Sequence, residues 1–180
     1  MGAEGRQFES DRPDQYKPFG FNEMPWHRLK SYWRDQGVLS PVPGVDDIAI
    51  EEFERRYSVQ MPSDLRLYFR QLNGMDTSAG HDFDEHGYGF LPLSGLRTVG
   101  AFTATMGWSV EKDQIGFGTA FVFINYFQWT CAYAVETAGK NAGAVYLLGY
   151  PKARIVASSF SNFVEQYLVD DPSLYEPPAI

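Results

Sequence analysis

The chain has 180 residues, of which 44% are hydrophobic and 16% aromatic, and a formal net charge of −8. That length supports one domain with tails and a sizeable core without metals or disulfides. Cys131 is the only cysteine, which excludes an intramolecular disulfide, and no apolar run approaches the ~20 residues of a membrane-spanning helix.

The first twenty residues, MGAEGRQFESDRPDQYKPFG, lack the apolar core of a signal peptide, so a cytoplasmic protein is expected. Charge is unevenly spread. Residues 1–70 hold ten Lys/Arg against twelve Asp/Glu, and residues 71–180 hold five against eleven. Nucleic-acid binding needs clustered cations for phosphate, so an acidic chain disfavours it. A basic partner would be steered toward an acidic surface, while from charge alone the preferred reading is that the acidity serves solubility.

Residues 1–21 mix charge, Gly and Pro without periodicity and are predicted to be a flexible tail. A helix is predicted near Pro25 to Gln36, with Trp26, Leu29 and Trp33 on one apolar face and Gly37 ending it. The segment VLSPVPG carries Pro41 and Pro43 and predicts an extended linker.

The stretch from Ile50 to Gly74, IEEFERRYSVQMPSDLRLYFRQLNG, predicts two short amphipathic helices broken at Met61-Pro62. Asp46 or Asp47 is placed to cap the first. Ile50, Phe53 and Tyr57 form its apolar face, and Glu51–Arg55 and Glu52–Arg56 form favourable pairs four apart. In the second helix Leu65, Phe69 and Leu72 face inward with Tyr68 alongside, while Arg66 and Arg70 stay in water. Asn73-Gly74 tolerates positive φ and closes it.

A polar loop, MDTSAGHDFDEHGYG, leads to a short strand Tyr88–Leu93. Leu96, Val99, Phe102 and Met106 allow a helix that Gly100 and Gly107 weaken. FVFINYF and WTCAYAVE are strand-rich in aromatic and β-branched residues. In the second, Trp129, Cys131, Tyr133 and Val135 fall on one face, with Thr130, Ala132 and Ala134 on the other. AVYLLGY and ARIVAS supply two further strands. Ser158 or Ser159 caps a last helix whose Phe160, Phe163, Val164, Tyr167 and Leu168 make the clearest helical stripe in the chain. The tail SLYEPPAI is expected to be loosely docked or disordered.

Chemistry-bearing motifs are sparse. His81-Asp82-Phe83-Asp84-Glu85-His86 puts two imidazoles and three carboxylates in six residues, but the His are five apart in a loop and the EF-hand alternation is missing. A solvated acidic loop without metal is the expectation. Gly116-Phe117-Gly118 lacks the third glycine of a dinucleotide fingerprint, and no phosphate-binding loop or nucleophile elbow occurs. No catalytic residue and no cofactor is predicted.

Residues 45–171 resemble the SUKH superfamily of bacterial toxin-immunity proteins and fungal cell-wall regulators. The resemblance rests on Ile50, Glu54, Pro62, Leu65, Phe69, Asn73 and Gly74, with Met61 where a leucine is usual. YGFLPL, INYFQWTCAYAVE, GAVYLLG and IVASSFSNFVEQYLVDD come after these in the family's order. The resemblance implies an α+β domain whose helices pack on a curved, largely antiparallel sheet. It implies a non-enzymatic protein-binding function, such as neutralising a toxin stoichiometrically. The alternative is a regulatory or scaffolding module that binds a cellular protein or peptide. Residues 1–44 then form an N-terminal tail with a short helix and linker, and residues 172–180 a C-terminal tail. Charge and expected exposure single out Asp82, Asp84, Glu85 and Tyr88 as partner-binding candidates, facing a basic protein, with no membrane or nucleic-acid partner.

Overall fold

The computed structural model describes residues 25–38, 42–75, 83–111, 114–149 and 152–176. The tail expected over residues 1–21 lies outside the described residues, as do His81, Asp82 and the junction at Pro151. The helices are α1 (Pro25–Asp35), α2 (Asp47–Tyr57), α3 (Ser63–Gln71), α4 (Val99–Met106) and α5 (Phe160–Leu168). The strands are β1 (Tyr88–Phe90), β2 (Arg97–Thr98), β3 (Ala120–Tyr126), β4 (Cys131–Glu136), β5 (Val145–Leu148) and β6 (Arg154–Ala157). They form one antiparallel sheet in the order β1-β3-β4-β5-β6, with β2 beside β1 on the same edge of β3. This is the expected α+β arrangement. The sheet is open, and its register shifts fall between Val122 and Ile124 and between Val145 and Tyr146, where an extra residue bends a strand.

Strand alternation divides the core between two faces. Phe121, Phe123, Tyr133, Val135, Val145 and Leu147 meet α1, α2, α3 and α5. Ala120, Val122, Ala132, Ala134, Tyr146 and Leu148 meet α4. The helical stripe of α5 is core as predicted: Phe160, Phe163, Val164 and Tyr167 are buried. Trp26 of α1 stacks on Phe160 with centroids 5.6 Å apart, and Arg28 pairs with Glu165 at 2.6 Å. Thus α1, which precedes the segment carrying the family resemblance, shares a single core with that segment. Fully burying one such aromatic stabilises by about 1.5–3 kcal/mol, so this face dominates the energetics.

The signature stretch is explained by local bonding. Asp46 caps α2, accepting from the Ala49 N–H at 2.9 Å. Glu54 accepts from the Met61 N–H at 2.9 Å and from Arg66 at 2.8 Å, tying the hinge to both helices. Asp64 accepts from the Ser161 N–H at 2.8 Å and so joins α3 to the start of α5, beside the Ser159 cap. Asn73 accepts from the Leu93 N–H at 2.7 Å. Gly74 has φ +77°, and a Cβ there would stand 2.6 Å from the Leu91 carbonyl carbon. The i, i+4 pairs expected within α2 give way to pairs between helices, since Arg66 reaches Glu54, Asp47 and Glu51, and Arg70 reaches Asp47. Arg66 is accordingly half-buried rather than free in water.

Gly107 does not prevent α4; it ends it, as a left-handed cap with φ 68°. The chain after α5 is docked as far as residue 176. Leu174 is buried, and its carbonyl accepts from the Tyr133 hydroxyl at 3.1 Å. Arg154 donates to the Ser173 and Glu176 carbonyls at 3.0 and 2.7 Å. The expectation of a loose tail therefore fails for residues 173–176, because a cation on β6 collects their carbonyls.

Candidate functional site

Of the four residues singled out for partner contact, two are not on the surface. Asp84 is 7% exposed and Tyr88 is 2% exposed. One Asp84 oxygen accepts from the His86 and Tyr88 N–H groups, both at 2.9 Å. The other accepts from the Tyr167 hydroxyl, which in turn accepts from the Trp33 indole N–H at 2.9 Å. Burial pushes the Asp84 carboxyl above the usual carboxylate range, and the three hydrogen bonds only partly offset it. Burial likewise pushes the Tyr167 and Tyr88 hydroxyls up. The Tyr88 ring lies against Tyr126 at 4.5 Å and Tyr167 at 5.0 Å. Asp84 is thus a loop anchor, and Tyr88 a core ring. Polar-loop composition predicts exposure, but the contact from Asp84 to Tyr167 spans 83 positions and has no local signal.

Glu85 remains exposed, with His86 Nε2 at 3.4 Å. Asp82 lies outside the described residues. The anchored loop abuts the β3–β4 turn, residues 127–130. Phe127 donates its N–H to the Gly87 carbonyl at 2.9 Å. Gly87 has φ +86°, and a Cβ there would meet the Phe127 ring at 2.9 Å. Loop and turn therefore form one unit that only glycine at position 87 permits.

The turn itself is strained. Phe127, Gln128 and Trp129 have φ of 44°, 52° and 67°. The left-handed conformation costs roughly 1–2 kcal/mol per non-glycine residue. Asn125 holds it by accepting from the Trp129 N–H at 2.5 Å, and Thr130 by donating its hydroxyl to the Phe127 carbonyl at 2.8 Å. The outcome is an outward Phe127, 55% exposed. Trp129 is turned to the α4 side, 5.2 Å from Phe102. It does not share a face with Cys131, Tyr133 and Val135, because it belongs to the turn and not to β4. Sequence reasoning missed Phe127 by extending the strand through it. No local signal marked the turn, since its positive-φ positions carry no glycine.

Elsewhere the structure offers little chemistry. Among the described residues no group of three His, Cys, Asp or Glu could hold a metal ion. Cys131 is buried and its thiol is pushed up by burial, the opposite of thiolate activation. Gly116 packs under Glu136, whose carboxylate accepts the Gly116 N–H at 2.7 Å, so the Gly-x-Gly motif is structural. An open cavity of about 310 Å³ lies beside α4, lined by Phe102, Met106, Val122 and Trp129 with Arg97.

A family model described as SMI1 / KNR4 family (SUKH-1) matches residues 44–166, more than half of the chain. No curated protein matches it. Among the described residues no helix is long and apolar enough to cross a membrane.

Proposed function

The chain belongs to the SMI1 / KNR4 family (SUKH-1), and from that premise we propose that it is a non-enzymatic protein-binding domain. Its role is that of a cytoplasmic immunity protein, which neutralises a cognate toxin by forming a stoichiometric complex. The observation that carries this reading is the rigid tip at the end of the sheet. There the Asp84 anchor and the Gly87–Phe127 contact hold the loop that carries the exposed Glu85 against the turn that carries the exposed Phe127 ring.

An exposed aromatic held at low entropy cost suits an interface hot spot. The acidic surroundings suit a basic partner, and a nuclease has a basic cleft because it must hold phosphate. In this reading Asp82 and Glu85 steer the encounter, while Asp84 and Tyr88 fix the loop's shape. The alternative, a regulatory module binding a cellular protein, uses the same tip.

Co-expression with a toxin encoded beside this gene tests the proposal. Rescue of growth, lost when Glu85→Lys is combined with Phe127→Ala, is the expected result. The two charge reversals Asp82→Lys and Glu85→Lys together should slow association roughly tenfold at low salt and flatten its salt dependence. A gene neighbourhood without a toxin, with a regulatory protein bound through the tip, favours the alternative. An association rate indifferent to both reversals removes this loop from the interface.

A further inference from the structure

The α4 side of the sheet carries a second surface, which shares Trp129 with the turn at the exposed tip. The cavity of about 310 Å³ is apolar over most of its wall, from Leu91, Phe102, Met106, Val122 and Trp129. Arg97 is the exception. It lies directly opposite Val122 in the β2–β3 register, and side chains opposite one another in an antiparallel pair share a face. Its guanidinium is therefore on the cavity side, and it lines the cavity. Among the described residues no carboxylate pairs with it. It is also the first cation after Arg70 in an otherwise acidic half of the chain. A free guanidinium at the rim of an apolar hollow is complementary to a group that is apolar with a carboxylate directly attached.

We propose that this cavity binds the carboxyl-terminal residue of a partner polypeptide, a large apolar residue whose side chain fills the hollow and whose terminal carboxylate pairs with Arg97. Two observations favour a chain end over other amphipathic anions. The volume is at the lower limit of ligand pockets, ~300 Å³, which suits one side chain rather than a helix or a long acyl chain. β2 pairs only with β3 among the described residues, so on its outer side the backbone groups other than the Thr98 carbonyl, which starts α4, and the Leu96 N–H, which bonds Leu93, are left to take the peptide group that precedes the terminal residue. This site does not rest on the immunity reading, and either can fail without the other.

Titration of the full chain with N-acetyl-leucyl-phenylalanine, followed by NMR, tests the site. Saturable shifts of the Trp129 indole, Phe102 and Arg97 resonances are expected with the free acid. The C-terminal amide of the same peptide should bind about tenfold more weakly, the size of one charge-assisted contact. Arg97→Gln should bring the acid down to the affinity of the amide. Met106→Trp, at a partly exposed helix position, should fill the mouth and weaken both. Octanoate carries the charge and apolar mass without a peptide group, and binding equal to that of the acid overturns the chain-end assignment. Equal affinity of acid and amide overturns the role of Arg97. Failure of both peptides to saturate, or shifts confined to other surfaces, overturns the site.

Discussion

The two faces of the sheet are built on opposite plans. The face toward α1, α2, α3 and α5 is filled by interlocked rings. Phe160 alone lies within 5.0–5.6 Å of Tyr68, Phe123 and Trp26, and all four rings are buried. The opposite face carries Ala120, Ala132 and Ala134, and among the described residues it is covered by one helix, the eight-residue α4, with Trp108, Ile115 and Phe117 from the chain that follows and Trp129 from the β3–β4 turn. Small residues let a short helix approach closely, yet that helix leaves the 310 Å³ cavity open and Met106 partly exposed. Close packing on one side fixes a single structure. Incomplete cover on the other leaves surface for a ligand. The difference separates the part of the molecule that maintains the fold from the part free to recognise something.

The sharpest break of this contrast is a paired truncation. Phe160→Ala is expected to cost about 4 kcal/mol, because it opens a cavity where neighbouring rings cannot collapse. Met106→Ala on the other face should stay within about 0.5 kcal/mol, as for an ordinary surface change. Urea unfolding of the two variants measures both. Similar losses would mean that α4 contributes as much to stability as the four-helix side, and the contrast would be gone.

Next in size is the anchor inside the helical face. Asp84→Ala leaves two backbone N–H groups and the Tyr167 hydroxyl without their acceptor, and should cost about 3 kcal/mol. Asp84→Asn keeps an acceptor and isolates the charge. Burial raises the Asp84 carboxyl in the folded protein, so the folded state favours its protonated form. Its stabilising contribution is therefore fully present below the unfolded carboxyl range and is lost as pH rises through the folded value. Relative to wild type, the Asn variant should gain stability as pH rises through that window, by at most roughly 1.4 kcal/mol per pH unit. His86 and Tyr167 face the same carboxyl, and both remain in the variant. A difference that is flat with pH would show that Asp84 ionises in the fold as it does in the open chain.

This contrast also explains what could be read in advance. The helical face was legible because its signal is periodic. Phe160, Phe163, Val164 and Tyr167 repeat at helical spacing, and Trp26, Leu29 and Trp33 do the same in α1. The helix breaks at Met61-Pro62 and Asn73-Gly74 were legible because proline and glycine restrict the backbone locally. Asp84 was not, since its burial depends on Tyr167 and Trp33, which are remote in the chain. The tip was hidden for a different reason. Phe127, Gln128 and Trp129 adopt a conformation their side chains disfavour, so propensity pointed to strand where the chain turns. The cavity beside α4 escaped too, because an under-filled space leaves no pattern in a sequence that alternates alanine with larger residues.

The smallest expected effect concerns the turn where the two faces meet. Trp129 drops toward α4, while Phe127 stays with the Gly87 loop on the far side, and Gln128 between them is exposed. At φ 52° Gln128 bears a steric cost that glycine would not, although glycine also gains entropy in the unfolded chain. The balance predicts that Gln128→Gly stabilises the protein by up to about 1 kcal/mol. Partner affinity should fall in the same variant, because a looser turn no longer holds Phe127 in place and binding must order it again. Thermal unfolding and complex dissociation rates measured on the one variant read both effects. Opposite signs are the mark of strain held at a recognition site. A variant that is both less stable and unchanged in binding would assign the turn to the fold alone, and Phe127 would then be an ordinary exposed ring.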